Sequence, residues 1–66
     1  MTTVGDDFPV QQARARELLQ VYIEIGPAGR FGRMMIEDAL RRADAAAMSG
    51  DIVQILTSYK ELKELQ

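Results

Sequence analysis

The chain has 66 residues, with 8 Lys and Arg, 10 Asp and Glu, and neither Cys nor His. This length limits the chain to one domain, and the missing Cys and His remove disulfides and the usual ligands of zinc and haem. A net charge of −2 argues against a nucleic-acid binder, which normally carries an excess of Lys and Arg. No apolar run is long enough to span a membrane, and the N-terminus lacks the features of a signal peptide. We therefore expect a cytoplasmic protein without metal or cofactor.

The N-terminal residues 1–7 show no apolar periodicity and are predicted to form a flexible arm, followed by a single helical domain over residues 8–66. Asp6 or Asp7 is predicted to cap the first helix, because an aspartate side chain can accept bonds from the free amides of the first turn. Pro9 would then lie near the first helical position, where its missing N–H is harmless.

The first helix is predicted to end at Ile25, since Gly26-Pro27 combines a typical C-terminal glycine with a residue that cannot continue a helix. Its apolar residues cover about 200° of the helix surface. These residues are Ala15, Leu18, Leu19, Val21, Tyr22, Ile23 and Ile25. Because one neighbouring helix needs a narrower face, part of this surface is expected to meet a second chain.

The second helix is predicted to begin within Pro27–Gly32 and to run to about Met48. Its predicted inward-facing residues are Met35, Ile36, Ala39, Leu40, Ala43, Ala46 and Ala47. Gly50 suits the end of this helix, and Asp51 with Gln54 suits a capping box at the start of the next.

The third helix is predicted over Ile52–Leu65. Its apolar stripe comprises Ile52, Ile55, Leu56, Tyr59 and Leu62. A turn this short makes helices two and three an antiparallel hairpin, and no stretch alternates in the manner of a strand. The sequence therefore predicts an all-α fold of three helices. A chain of this size has a marginal core, and without disulfides or metals the remaining stabiliser is self-association, so we expect an obligate homodimer.

Catalysis has little support in the sequence. The hydroxyl groups of Ser49, Thr57 and Ser58 have no histidine to activate them. Adjacent carboxylates such as Glu37 and Asp38 diverge by about 100° on a helix and cannot converge on one substrate atom. We expect a binding protein, not an enzyme.

The segment Gly26–Arg33 concentrates three glycines, a proline and two arginines ahead of a helix. One interpretation is an anion site, in which backbone amides and arginines bind phosphate; the residues are Gly29, Arg30, Gly32 and Arg33. The other interpretation is a connector, in which Phe31 fills the core and Arg33 pairs with Glu37.

Met34 and Met48 fall on the charged side of the second helix, away from its apolar stripe. Flexible thioethers outside the core suit an adaptable contact surface, either between two copies or with another protein. The predicted partner-binding residues are Arg30, Phe31, Arg33, Met34 and Met48.

The run EIGPAGRFGRMMIEDALRRADAAAMSGDIVQILTSYKELK, with its GPAGRFG block and SGD turn, resembles small accessory proteins of temperate and Mu-like bacteriophages. This resemblance implies a stoichiometric inhibitor of a host protein in the host cytoplasm. The quorum-sensing anti-activators of Mu-like Pseudomonas phages are one such type, similar in length and in expected helical, dimeric build. The resemblance carries no residue-level motif, so it assigns no functional residue.

Three functions follow for the chain. The first is a phage-type helical homodimer that binds and inhibits a host protein. The alternative is a protein that sequesters an anionic, nucleotide-like signal through the Gly-rich segment with Arg30 and Arg33. A small DNA-binding regulator is the third, and the acidic charge balance weighs against it.

Overall fold

In the computed structural model, which describes residues 3–65, every secondary-structure element is helical. Helix α1 spans Val4–Ile25, a 3-10 turn spans Gly26–Gly29, α2 spans Arg30–Ser49 and α3 spans Ile52–Glu64. The prediction of an all-α fold is confirmed for these residues. The helical path runs unbroken from α1 through the 3-10 turn into α2, so the chain forms two continuous helical stretches and not the three separate ones predicted.

A break in the helix was predicted after Ile25, and at this point the structure changes from an α-helix to a 3-10 helix. Gly26 has a φ of +83°, which ends the α-helical hydrogen bonding of α1. Pro27 follows as the second residue of the 3-10 turn, where its fixed φ is already helical and its missing amide costs nothing. The chain therefore reverses direction at Gly26 and continues at once as a 3-10 turn.

Helix α1 begins at Val4, earlier than predicted, so neither Asp6 nor Asp7 is its cap and Pro9 lies inside the helix and not near its first position. Thr3 is its N-cap, and its side-chain hydroxyl accepts a hydrogen bond of 3.1 Å from the amide of Asp6. Asp6 and Asp7 lie within the first turn, where the positive end of the helix dipole stabilises their negative charges. Residues 4–7 were predicted to belong to a flexible arm, and this is wrong because they form the first turn of α1. Residues 1 and 2 of the predicted arm lie outside the described residues.

The turn between α2 and α3 lies where it was predicted, but the predicted capping box is incomplete, because the Asp51 amide donates to Oγ of Ser49 at 3.0 Å and not to the side chain of Gln54. Gly50 adopts a left-handed conformation with a φ of +70°, as a glycine after a helix commonly does. Asp51 caps α3 by accepting bonds from the amides of Val53, at 2.9 Å, and Gln54, at 3.4 Å. This two-residue connection turns α3 back along α2.

The core lies where the three α-helices meet, and its buried apolar side chains are Phe8, Ala15, Ile36, Ala39, Leu40, Ala43, Ala46 and Leu62. Half of these are alanine, so the helices approach closely but bury little volume. Ser58 of α3 is also buried, in a groove lined partly by Ala46, where two small side chains allow the same close approach.

Helix α3 packs against one half of the α1–α2 pair. Arg42 of α2 pairs with Glu61 of α3 at 2.6 Å. Tyr59 bonds to Asp7 in α1, and the α3 C-terminus reaches only as far as Arg14, whose guanidinium donates to the Leu62 and Leu65 carbonyls. The remaining parts of α1 and α2 extend past this end of α3.

Four residues predicted to face inward are exposed, namely Met35, Ala47, Ile52 and Leu56. The buried line of α3 passes through Ser58 and Leu62, which leaves Ile52 and Leu56 at its edge. Met35 lies beside Leu65, where α3 has just ended, so no neighbouring helix covers it. Helical spacing identified the apolar side of each helix but did not show how much of that side a neighbouring helix covers.

Candidate functional site

The glycines of the segment before α2 serve helix packing. A Cβ atom on Gly32 would lie 2.2 Å from the ring of Tyr22, so this ring lies directly on the backbone of α2. A Cβ atom on Gly29 would lie 2.9 Å from the carbonyl oxygen of Tyr22. Gly29 is buried by this contact. Gly29 is therefore required for the close approach of the α1 and α2 backbones, and Gly32 provides the space that the Tyr22 ring occupies.

The two arginines of this segment lie in one shallow groove on the surface. Its lining comprises Gly26, Pro27, Arg30, Arg33, Met34 and Glu37. Arg33 is held by Glu37 in an ion pair of 2.8 Å, as the i,i+4 spacing predicted. Arg30 makes no ion pair with any residue in the range 3–65. A bound anion would meet one uncommitted cation and the carboxylate of Glu37, so this geometry gives the anion-site prediction little support.

Phe31 does not fill the core, which corrects the connector interpretation of its side chain. Its side chain is 76% exposed. With Met34, Met35 and Arg41 it lines a second shallow groove along α2. An exposed aromatic ring beside two thioethers is typical of a protein contact surface.

Helix α2 presents one exposed face from end to end. Met34, Arg41 and Met48 are spaced by seven residues and therefore lie on the same side of the helix, with Arg30 one turn before Met34. We call these four residues the α2 outer face. All four are exposed, and Met48 is 90% exposed. The two methionines are about 21 Å apart at 1.5 Å per residue, so they would contact different parts of one partner.

The structure therefore divides the predicted partner-binding residues between two surfaces. Arg30, Met34 and Met48 belong to the α2 outer face, and Arg33 lies at its edge in an ion pair. Phe31 lies on the neighbouring side of α2 with Met35, and the two surfaces meet in the groove that Phe31 and Met35 share with Met34 and Arg41. Met35 was missed because its spacing matches the buried residues of α2, and only the position of α3 leaves it exposed.

The hydroxyl groups near the α2–α3 turn serve the backbone. Ser49 donates to the carbonyl oxygen of Ala46 at 2.8 Å, and Thr57 donates to that of Val53 at 2.9 Å. In the part of the chain that the structure describes, no three acidic side chains gather where they could hold a metal ion. Within the same residues, no helix is both long and apolar enough to cross a membrane.

The sequence matches no protein-family model and no curated protein, and the chain matches no solved structure.

Proposed function

We propose that this chain is a non-catalytic homodimeric protein that binds a host protein stoichiometrically and inhibits it. The observation that carries this proposal is the α2 outer face, in which exposed methionines alternate with arginines along a side of α2 that neither α1 nor α3 covers. Methionine adapts to irregular apolar pockets, and arginine is enriched at the energetic centres of protein interfaces.

The charge arrangement of α2 supports recognition of a protein surface. Arg41 is paired with Asp38 at 3.1 Å but keeps 75% of its side chain exposed. Arg30 is uncommitted within residues 3–65. Cations at both sides of Met34 would select a partner that offers carboxylates around an apolar pocket. The phage resemblance supplies the context, since the inhibited partner would then be a bacterial host protein.

A stoichiometric capture experiment tests this function. The tagged full chain is incubated with nuclease-treated bacterial lysate, and bound proteins and small molecules are identified by mass spectrometry. Met34→Asp places a charge in the centre of the α2 outer face, and Val53→Asp is the matched control because Val53 is equally apolar, 67% exposed and located on α3.

We expect one host protein to be retained in near-equal amount by the native chain and by the Val53→Asp variant, and to be lost with Met34→Asp. Its activity should fall to zero at one equivalent of this chain. Retention by all three chains would move the contact away from the α2 outer face. A co-eluting nucleotide without any protein would overturn the proposal in favour of the groove around Arg30 and Arg33.

A further inference from the structure

The α1–α2 pair has one end that α3 does not reach. The guanidinium of Arg14 bonds to the carbonyl oxygens of Leu62 and Leu65, which fixes the end of α3 beside the middle of α1. Helix α1 continues from this point to Ile25. Among residues 3–65, this end of the molecule therefore consists of two helices, while the other end consists of three.

On α1, the side that faces α3 continues into the uncovered end. Asp7 bonds to Tyr59 and Arg14 bonds to Leu65, so residues spaced by seven face α3. The next position in this row is Val21, and Ile25 follows one turn later. Both are exposed apolar side chains, at 51% and 53%.

On α2, the same continuation occurs in the opposite direction along the chain. Arg42 pairs with Glu61, and Met35, seven residues earlier, lies beside Leu65. Phe31 precedes Met35 by one further turn, and its aromatic side chain is 76% exposed. We call Val21, Ile25, Phe31 and Met35 the open face. It continues, beyond α3, the surface on which α3 packs.

The open face has the size of a dimer interface. Exposed fractions of 51% to 76% on four side chains of about 200 Å² each leave roughly 450 Å² of apolar surface. A standard interface covers about 800 Å² per partner, of which somewhat more than half is apolar. The apolar surface of the open face therefore matches the apolar part of one partner's side of a standard interface. The fold also needs it, because half of its buried apolar residues are alanine.

We propose that the open face is the surface through which two copies of this chain associate, with each open face packed against the other about a two-fold axis. This assignment rests on the homodimer of the proposed function and names its interface. A two-fold axis makes the contact self-complementary and closed, so association stops at the dimer. The α2 outer face borders the open face at Arg30 and Met34, and its far end around Met48 stays free for a second protein.

The charges around the open face fit a second copy. Glu17 and Glu24 flank Val21 on α1 at spacings of four and three, and neither has an ion-pair partner within residues 3–65. Arg30 next to Phe31 on α2 is likewise unpaired in that range. A two-fold arrangement that places α1 against the α2 helix of the partner brings these carboxylates opposite this cation, in both halves at once.

Sedimentation equilibrium of the full chain tests the interface without any host protein. We expect a dimer for the native chain and a dissociation constant at least about 100-fold higher for Phe31→Asp, because the substitution places a charge at the interface twice. Met35→Asp should act in the same way. Val53→Asp is the control, since Val53 is exposed on α3, outside the open face; it should remain a dimer. Circular dichroism should show that all variants keep the helix content.

A charge exchange supplies the second test. Glu24→Arg and Arg30→Glu should each weaken the dimer, and the double variant should recover most of the lost affinity. A native chain that sediments as a monomer would overturn the proposal, as would a dimer that resists Phe31→Asp and Met35→Asp. A dimer that resists both substitutions overturns this interface alone and leaves the homodimer and the host capture of the proposed function standing. A monomer overturns the homodimer as well, and host capture is then tested by Met34→Asp alone.

Discussion

The hydroxyl group of Tyr59 donates a hydrogen bond of 2.6 Å to Oδ2 of Asp7 and thereby joins α3 to the first turn of α1. The side-chain amide of Gln11 donates to the same oxygen at 3.2 Å. The bond from Tyr59, and then the bond from Gln11, lower the pKa of Asp7 below 3.8. The bond to Asp7 raises the pKa of Tyr59 above 10.0. The folded chain therefore favours charged Asp7 and neutral Tyr59.

The pH dependence of stability follows from these two shifts. Because the pKa of Asp7 is lower in the folded state, its contribution is complete above the ordinary value near 3.8 and is lost as the pH falls through the folded value. The raised pKa of Tyr59 has the opposite sign, so its contribution is complete below 10.0 and is lost as the pH rises further. Urea denaturation across this pH range measures both losses.

Tyr59→Phe should weaken the acid effect, because Asp7 loses the bond that lowers its pKa, and abolish the alkaline effect, because the titrating phenol is gone. Asp6→Asn is the matched control, since Asp6 lies next to Asp7 in the same turn and makes no bond to Tyr59. An unchanged acid limb in the Tyr59→Phe chain would show that this hydrogen bond does not link α1 to α3 in solution.

The close approach of α1 and α2 predicts a specific intolerance at Gly29. Gly29→Ala should lower the free energy of unfolding by about 1–3 kcal/mol, because the added methyl group would lie 2.9 Å from the backbone carbonyl oxygen of Tyr22 and force the helices apart. Gly5→Ala is the control: its methyl group would have only the Thr3 hydroxyl, at 3.8 Å, within contact range. That change should be neutral or slightly stabilising. Equal effects in urea denaturation would contradict the close packing.

Local signals in the sequence were sufficient for the helix ends near Gly26 and at the α2–α3 turn. A glycine with positive φ and an aspartate cap act within a few residues, so Gly50 and Asp51 could be placed without knowledge of the tertiary fold. At the start of α1, the side chains of Thr3, Asp6 and Asp7 are all of types that cap helices. Thr3 is the cap and Asp7 is held by Tyr59, a residue distant in sequence. The sequence alone does not contain that contact.

The candidate surfaces were predictable only in part, for the same reason. Met34 and Met48 lie among charged residues on α2, and this indicated that both are exposed. The inference needs only the sequence of α2. The exposure of Phe31 and Met35 depends on where α3 ends relative to α2. That end is fixed by the bond between Arg14 and Leu65, which lie 51 residues apart. Helical periodicity gives the side on which a residue lies and cannot give the offset between two helices.

The N-cap of α3 predicts a measurable loss on substitution. Asp51→Ala should lower the free energy of unfolding by about 1 kcal/mol, because the amides of Val53 and Gln54 would lose their acceptor. Thr3→Ala removes the cap of α1, which accepts only one bond, from Asp6. This control should cost less, since Thr3 accepts one amide bond where Asp51 accepts two. A larger loss at Thr3 would show that the start of α1 belongs to the cooperative fold.

The contact between Arg14 and the end of α3 gives the final prediction. Arg14→Met keeps the aliphatic stem and removes the donors to the Leu62 and Leu65 carbonyls, which should cost about 1.5–3 kcal/mol, as for charge-assisted bonds. Arg16→Met removes an exposed ion pair with Asp44 and should cost at most about 1 kcal/mol. Hydrogen exchange should rise at the last amides of α3 in the Arg14→Met chain only. Unchanged exchange there would mean that packing of Leu62, and not Arg14, determines where α3 ends.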